Sequence, residues 1–244
     1  MPRFFVNSAD ISDGYVTLSG DNVRHISFSL RMACGELITV CDGTGTEYEA
    51  ELCEFHEGSV RAKILSQRAS DSELSVRVTL YQGYPKSDKL EFIIQKAVEL
   101  GASKIVPFES ERCIKRPDAE KSAKRSLRFS KIAEEAAKQC GRAVIPSVSL
   151  PVPLETALAL ATKENDAVLF CYEGGGAPIT ELIRENKNAK SIAVFVGSEG
   201  GFSENEAALA KNIGARLCGL GNRILRCETA PLFALSAIVC GFEL

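Results

Sequence analysis

Two continuous apolar runs, residues 167–172 and 191–196, constrain the fold of this chain more than any other feature. Runs of that length without polar alternation read as strands buried on both faces, as in a parallel sheet covered by helices above and below. The second run leads straight into Gly197-Ser198-Glu199-Gly200-Gly201-Phe202. Thirteen residues or so further on, the strand-like 215–218 leads into a second glycine-marked loop, Leu220-Gly221-Asn222-Arg223-Ile224-Leu225-Arg226-Cys227-Glu228-Thr229-Ala230. Ligands of parallel α/β sheets bind beyond the carboxyl ends of the strands, and glycine lets backbone approach a ligand closely. The two loops are therefore expected to converge on one site. Phosphate is a poor fit there, because the first loop carries Glu199 and lacks the lysine of a phosphate-cradling loop. No Gly-x-Gly-x-x-Gly is present, so the expected ligand carries little negative charge.

The pattern changes near residue 74. Before it, short strand-like runs at 15–18, 37–41, 47–52 and 60–64 are separated by turn residues, with Asp42-Gly43-Thr44-Gly45 as a hairpin signal. Residues 1–70 thus read as a small β-barrel, and the polar stretch 66–73 as a linker. From 74 to 244 strands alternate with helices, which makes an α/β domain with a parallel sheet. A strand at 76–82 precedes a helix that Asp88 and Glu91 are expected to open as a capping box and Gly101 to stop. A strand at 104–108 precedes a long helix over 117–140, with proline in its first turn and Gly141 just past its end. Ser203 and Glu206 form a second capping box, for a helix ending at Gly214. The tail from 230 to 242 is an apolar helix, too apolar for one buried face.

Composition excludes several classes. No apolar run is long enough to cross a bilayer as a helix, and the N-terminus has no signal-peptide core, so the cytoplasm is the expected location. The nine cysteines are scattered without a Cys-x-x-Cys pair, and the two histidines, His25 and His56, stand apart from them. That spacing argues against a metal site and reads as buried structural thiols. A formal charge of −3 does not mark a nucleic-acid binder. Charge is unevenly distributed, however. Between 112 and 142 ten basic residues (Arg112, Lys115, Arg116, Lys121, Lys124, Arg125, Arg128, Lys131, Lys138, Arg142) face four acidic ones (Asp118, Glu120, Glu134, Glu135). Such a stretch is either a solvated helix face or a footprint for an RNA backbone.

The paired loops, from Gly197 to Phe202 and from Leu220 to Ala230, closely resemble the C-terminal motifs of the 16S ribosomal RNA (uracil-N3) methyltransferases of the SPOUT superfamily. Other stretches match that family in order: Arg3-Phe4-Phe5-Val6, His25 through Arg31-Met32 to Gly35, Lys86 through Gln95-Lys96-Ala97-Val98-Glu99-Leu100-Gly101, and Glu135-Ala136-Ala137-Lys138-Gln139-Cys140-Gly141-Arg142. Ser198 stands where the family usually has proline, and Pro231 follows the Glu-Thr-Ala. The resemblance implies a trefoil-knotted parallel sheet flanked by helices, where pattern alone suggests an ordinary doubly wound fold. It implies that residues 1–70 are a PUA-like RNA-binding module, and that the substrate is a uridine in 16S rRNA or the small ribosomal subunit. It also implies S-adenosylmethionine as cofactor, and a third pocket loop at Cys171-Tyr172-Glu173-Gly174-Gly175-Gly176.

On that resemblance the cofactor set is Cys171, Glu173, Gly197, Glu199, Gly200, Leu220, Gly221, Ile224, Leu225 and Thr229. Leu220, Ile224 and Leu225 would line the adenine, and the main chain of Gly197, Gly200 and Gly221 would make the hydrogen bonds. Glu199 either sits by the cation or a ribose hydroxyl, or stabilises the terminus of the next helix. Methyl transfer at carbon draws much of its rate from positioning, but the uracil imide proton must leave. Arg226 is the candidate charge stabiliser, since arginine cannot be a base. Glu228, Glu199 and solvent are the candidate proton acceptors. Candidate RNA contacts are Arg3, Arg24 and Arg31 in the first domain and Lys124, Arg125, Arg128, Gln139 and Arg142 in the second. Two alternatives keep the scaffold: ribose 2′-O-methylation of tRNA or rRNA, and RNA binding without catalysis. SPOUT enzymes pair through the C-terminal region, so a homodimer is implied with its site at or near the interface, and no membrane or metal partner.

Overall fold

The computed structural model describes residues 1–86, 88–113 and 122–244. The chain divides into two compact units, residues 1–73 with 137–145, and residues 74–136 with 146–244. Residues 137–145, assigned from sequence to the second domain, thus group with the first unit.

The first unit is a six-stranded sheet. Strands β1 (Arg3–Phe5), β2 (Ile11–Ser12), β3 (Tyr15–Ser19), β4 (Leu37–Cys41), β5 (Thr46–His56) and β6 (Ser59–Ala69) lie in the order β1-β4-β5-β6-β3-β2. Only β1 with β4 is parallel; the other pairs are antiparallel. Alternation along β3 to β6 points Val16, Leu18, Ile38, Val40, Ala50, Leu52, Val60 and Ala62 into one core with Phe4 and Ile26. The stretch 66–73 is not wholly a linker. Strand β6 runs on to Ala69, because Gln67, Arg68 and Ala69 pair with the first residues of β5. A short helix α1 (Asp21–Arg24) continues as a π-helical turn, His25–Ser29, that the strand pattern did not suggest.

The second unit carries an all-parallel sheet. Its strands are β7 (Arg77–Gly83), β8 (Ala102–Glu109), β9 (Ser147–Val148), β10 (Val152–Pro153), β11 (Ala167–Cys171), β12 (Ala177–Pro178), β13 (Ser191–Val196) and β14 (Arg216–Gly219). The order is β10-β8-β7-β13-β11-β14-β12, with β9 paired to β8. Every residue of β11 and of β13 is buried, as their apolar runs require. Helices α2 (Lys89–Glu99), α3 (Ser122–Cys140), α4 (Leu154–Glu164), α5 (Ile179–Glu185), α6 (Glu204–Asn212) and α7 (Thr229–Phe242) fill the connections. Leu154, Ala157, Leu158 and Ala161 of α4 and Ala207 and Ala210 of α6 pack on Tyr81, Phe108, Phe170, Phe195 and Phe202. Tyr81 and Phe195 stack with ring centres 4.4 Å apart. Helices α2, α5 and α7 pack together as a separate layer that meets β13 and β14.

Local signals held unevenly. The Ser203 box forms as expected: Ser203 Oγ accepts from the Glu206 N–H at 3.2 Å, and Glu206 accepts from the Ser203 N–H at 2.8 Å. The Asp88 box does not form, since Asp88 makes no side-chain cap. Glu91 is instead drawn to Arg128 of α3 at 2.6 Å, and a charged partner outcompetes a backbone amide. Gly101 ends α2 with φ +83°. The expected start of the long helix at 117, with Lys115, Arg116, Asp118, Glu120 and Lys121, lies outside the described residues.

Candidate active site

The carboxyl ends of β13, β11 and β14 are neighbours in the sheet, although the chain reaches them in the order β11, β13, β14. The chain therefore reverses direction across β11, which is where an open parallel sheet leaves a crevice. A cleft of about 750 Å³ opens there, lined by the three loops that follow these strands and by Lys89 from the first turn of α2.

The loops are held from behind. Phe202 ends the first loop as a fully buried ring, 4.1 Å from Phe170 and 5.9 Å from Phe108. Ser198 and Gly201 bridge across the loop, with the Gly201 N–H donating to Ser198 O at 3.0 Å. Gln82 Nε2 donates to Gly197 O at 3.1 Å. At Gly83 even a methyl group would come within 2.4 Å of the Ser198 nitrogen, so β7 and the loop touch backbone to backbone.

At Gly200 another stretch of the chain also stands close. A Cβ there would lie 2.7 Å from Arg112 O and 2.8 Å from Arg112 Cβ. The room at Gly200 is taken by the chain itself, by the segment leaving β8, whose Glu111 N–H donates to Glu206 at 2.7 Å. Gly221 is the open case. Its φ of +100° excludes ordinary side chains, and nothing lies within 4 Å of where a Cβ would stand.

A charge cluster closes one side of the cleft. Lys89 Nζ lies 3.1 Å from Glu199 and 3.3 Å from Glu228. The Lys86 N–H donates to both oxygens of Glu199 at 3.2 and 3.3 Å. The Cys227 thiol donates to Glu228 at 3.1 Å. Burial opposes the charge on Glu199, but the amide donors and the Lys89 ammonium outweigh it and hold the carboxyl below its ordinary pKa. Glu228 is lowered by the Cys227 thiol first and by Lys89 as well, against some burial. Glu199 and then Glu228 raise Lys89, and burial followed by the Glu228 contact pushes Cys227 up to about 12. Two ionised carboxylates on one ammonium leave a local negative charge facing the cleft.

Of the residues singled out from sequence, Cys171, Glu173, Gly197, Glu199, Gly200, Leu220, Gly221, Ile224, Leu225 and Arg226 all line this cleft. Ile224 is 83% exposed, an apolar side chain with nothing yet packed on it. Arg226 is exposed, and no carboxylate pairs with it among the described residues. Glu228 reaches the cleft through Lys89, whereas Thr229 opens α7 as an exposed residue outside the lining. Lys89 was missed. The signal was its position: a lysine in the first turn of a helix runs against the helix dipole and needs carboxylates nearby.

The candidate RNA contacts separate into two kinds. Arg24 and Arg31 are exposed on the first unit, and Lys124, Arg128 and Gln139 are exposed on α3. Arg125 is half-buried, with Nη1 unpartnered among the described residues. Arg3 and Arg142 turn inward instead. Arg3 bonds Glu47 at 2.8 Å, and Arg142, only 3% exposed, is paired with Glu73. Burial works against the charge on Glu47, but hydrogen bonds from Arg3, Arg68 and Ser70 hold it below its ordinary pKa. Among the described residues no helix is long and apolar enough to cross a membrane, and no group of three or more potential metal ligands gathers.

Comparison with known proteins agrees with this geometry. Residues 72–239 match the family model of an RNA methyltransferase domain. The ribosomal RNA small subunit methyltransferase E of Bacillus subtilis is 35% identical, across 93% of this chain and 91% of its own length. Its counterpart of the same name in Mycobacterium tuberculosis is 30% identical, across 96% and 90%. The crystal structure of a ribosomal RNA small subunit methyltransferase E from Neisseria gonorrhoeae, bound to S-adenosyl methionine, is 34% identical. It superposes with a TM-score of 0.84 over 98% of this chain and 97% of that one. Matches of this extent, spanning both units and all three cleft loops, leave one assignment: the chain belongs to the RNA methyltransferases, in the family of ribosomal RNA small subunit methyltransferase E.

Proposed function

We propose that this chain transfers the methyl group of S-adenosylmethionine to N3 of a uridine in 16S rRNA. The observation that carries the reading is the cleft at the carboxyl ends of β11, β13 and β14, with its negative cluster and its open, left-handed Gly221. Its volume is in the range of small-molecule sites. On the side that Lys89 closes, the charge suits a cationic group, because that lysine is already committed to two carboxylates, while Arg223 and Arg226 line the rest of the cleft. Leu220, Ile224 and Leu225 offer apolar surface for a purine. The bound cofactor supplies an electrophilic methyl group on a sulfonium; the chain supplies position and electrostatics.

In this reading Glu199 and Glu228 face the cation, and Lys89 keeps both ionised. Their lowered pKa values make them weak acceptors for an imide proton, since a general base works best with a pKa near the operating pH. The imide proton then leaves to solvent in an equilibrium that precedes attack, and the uracil anion so formed is the nucleophile. Arg226, without a carboxylate of its own, stabilises the charge left on uracil O2 and O4.

The same reading takes residues 1–70 as a PUA-like barrel that holds RNA, and the segment 220–228 as the part of a trefoil knot that wraps the cofactor. It takes the active form as a homodimer. Phe233, at 45% exposed, and the neighbouring Ala237 and Cys240 leave an apolar outer face on α7, beside a helix whose inner face already packs on α2 and α5. The test is transfer of labelled methyl from S-adenosylmethionine to small-subunit RNA prepared without the modification. Incorporation into that RNA and not into large-subunit RNA is expected. No incorporation into either, with the cofactor bound, would favour RNA binding without catalysis.

A further inference from the structure

We infer that Phe28, flanked by Arg24 and Arg31, is a stacking platform for an unpaired base of single-stranded RNA. The inference rests on the reading of RNA as substrate and adds to it a residue and a conformation of the RNA. Helix α1 and the π-helical turn after it bury one side only. Ile26 is fully buried in the core of the first unit, and Val23 and Met32 pack against that core. Phe28 lies on the other side and is 78% exposed, with Leu30 beside it at 41%. Isolated exposed apolar side chains are common and mean little. This one differs in its surroundings.

Arg24 lies four residues before Phe28, on the same helical face. Arg31 follows with φ +52°, a left-handed conformation that a non-glycine residue seldom adopts. Both arginines are exposed. No carboxylate lies within ion-pair distance of either among the described residues, although Arg3, Arg61 and Arg68 of the same unit are all paired. The turn is π-helical, a geometry concentrated at functional sites. An exposed ring with one unpaired arginine four residues before it and another three residues after it fits a base with its flanking phosphates. Aromatic faces hold unstacked bases, and arginines hold the backbone. A duplex would not use the ring, because its bases are already stacked.

The test is fluorescence anisotropy of the full chain with a labelled ten-nucleotide single strand and with the corresponding duplex, over a series of salt concentrations. Phe28→Ala should weaken single-strand binding about tenfold at every salt concentration, leave the duplex unaffected and keep the log–log salt slope. Phe28→Trp should restore binding. Arg24→Gln and Arg31→Gln should each reduce the slope by about 0.7. Circular dichroism should be unchanged for all four, because none of these side chains is buried. Equal single-strand affinity of Phe28→Ala and wild type would overturn the inference, as would a loss shared by the duplex or one explained by altered self-association. Methyl transfer by the wild type separates this from the parent reading. If transfer to small-subunit RNA proceeds and Phe28→Ala leaves its KM unchanged, the platform fails and the activity stands.

Discussion

Phe202→Ala separates what holds the first cofactor loop from what holds the second unit as a whole. Phe202 is 1% exposed and packs its ring on Phe170 and Phe108 at the top of the core. Truncating a buried phenylalanine costs about 3–5 kcal/mol. Leu158→Ala, in α4 of the same cluster and 2% exposed, costs about 2–5 kcal/mol but removes a side chain of a helix rather than the ring that ends the loop. The two variants should therefore lose comparable stability and differ in binding. Gly197–Gly201 is tied to the core chiefly through Phe202 and the Gln82 contact. If the loss leaves the disordered loop favoured by about 1.4 kcal/mol, only about a tenth of the molecules are competent to bind. The apparent Kd for S-adenosylmethionine then rises about tenfold. Urea titrations give the stability, and calorimetry on the folded variants gives the affinity. Equal affinity losses for Phe202→Ala and Leu158→Ala, or none for either, would refute the idea that this ring positions the loop.

Gly200→Val should displace the segment around Arg112, because its Cβ would meet Arg112 O at 2.7 Å; faster amide exchange at 110–113 without cofactor present checks this, and unchanged exchange would mean that the ligand side alone requires glycine. The charge cluster should give a flat pH profile for cofactor affinity near neutrality. The lowered pKa values of Glu199 and Glu228 mean that their contribution is present above about 4.5 and is lost as pH falls through the folded values, whereas the raised Lys89 loses its contribution only as pH rises past about 10.5. A break between pH 6 and 8 that disappears in Glu199→Gln or Glu228→Gln would contradict these directions. Phe233→Glu on the outer face of α7 should yield a monomer by light scattering and abolish methyl transfer; a fully active monomeric wild type would refute the pairing.

Much of the second unit was legible because burial on both sides of a strand leaves an unambiguous record. The run Ser191–Val196 was bounded to the residue, and the glycine loop after it fell where a parallel sheet binds ligands. The Ser203 cap was readable because both of its partners are local in sequence. The Asp88 cap was misread for the opposite reason: Glu91 found Arg128, thirty-seven residues away, a competitor no local rule contains. Arg142 looked like a surface cation at a helix end, and only the fold brings Glu73 to it. Gly200 lines the cleft and also stands against the Arg112 backbone, and sequence cannot say whether a ligand or another stretch of backbone fills the space beside a glycine. The π-helical turn His25–Ser29 carries no periodicity that distinguishes it from a loop.

Identifying the modified nucleoside tests most directly whether this chain methylates N3 of a uridine. Small-subunit RNA lacking the modification would be incubated with the chain and S-adenosylmethionine, digested to nucleosides and resolved by mass spectrometry against standards. Methylation at N3 gives one new product per RNA, 3-methyluridine, and no ribose-methylated nucleoside. A 2′-O-methylated product with unmodified uracil, or no methylated product from RNA that the chain demonstrably binds, would contradict it.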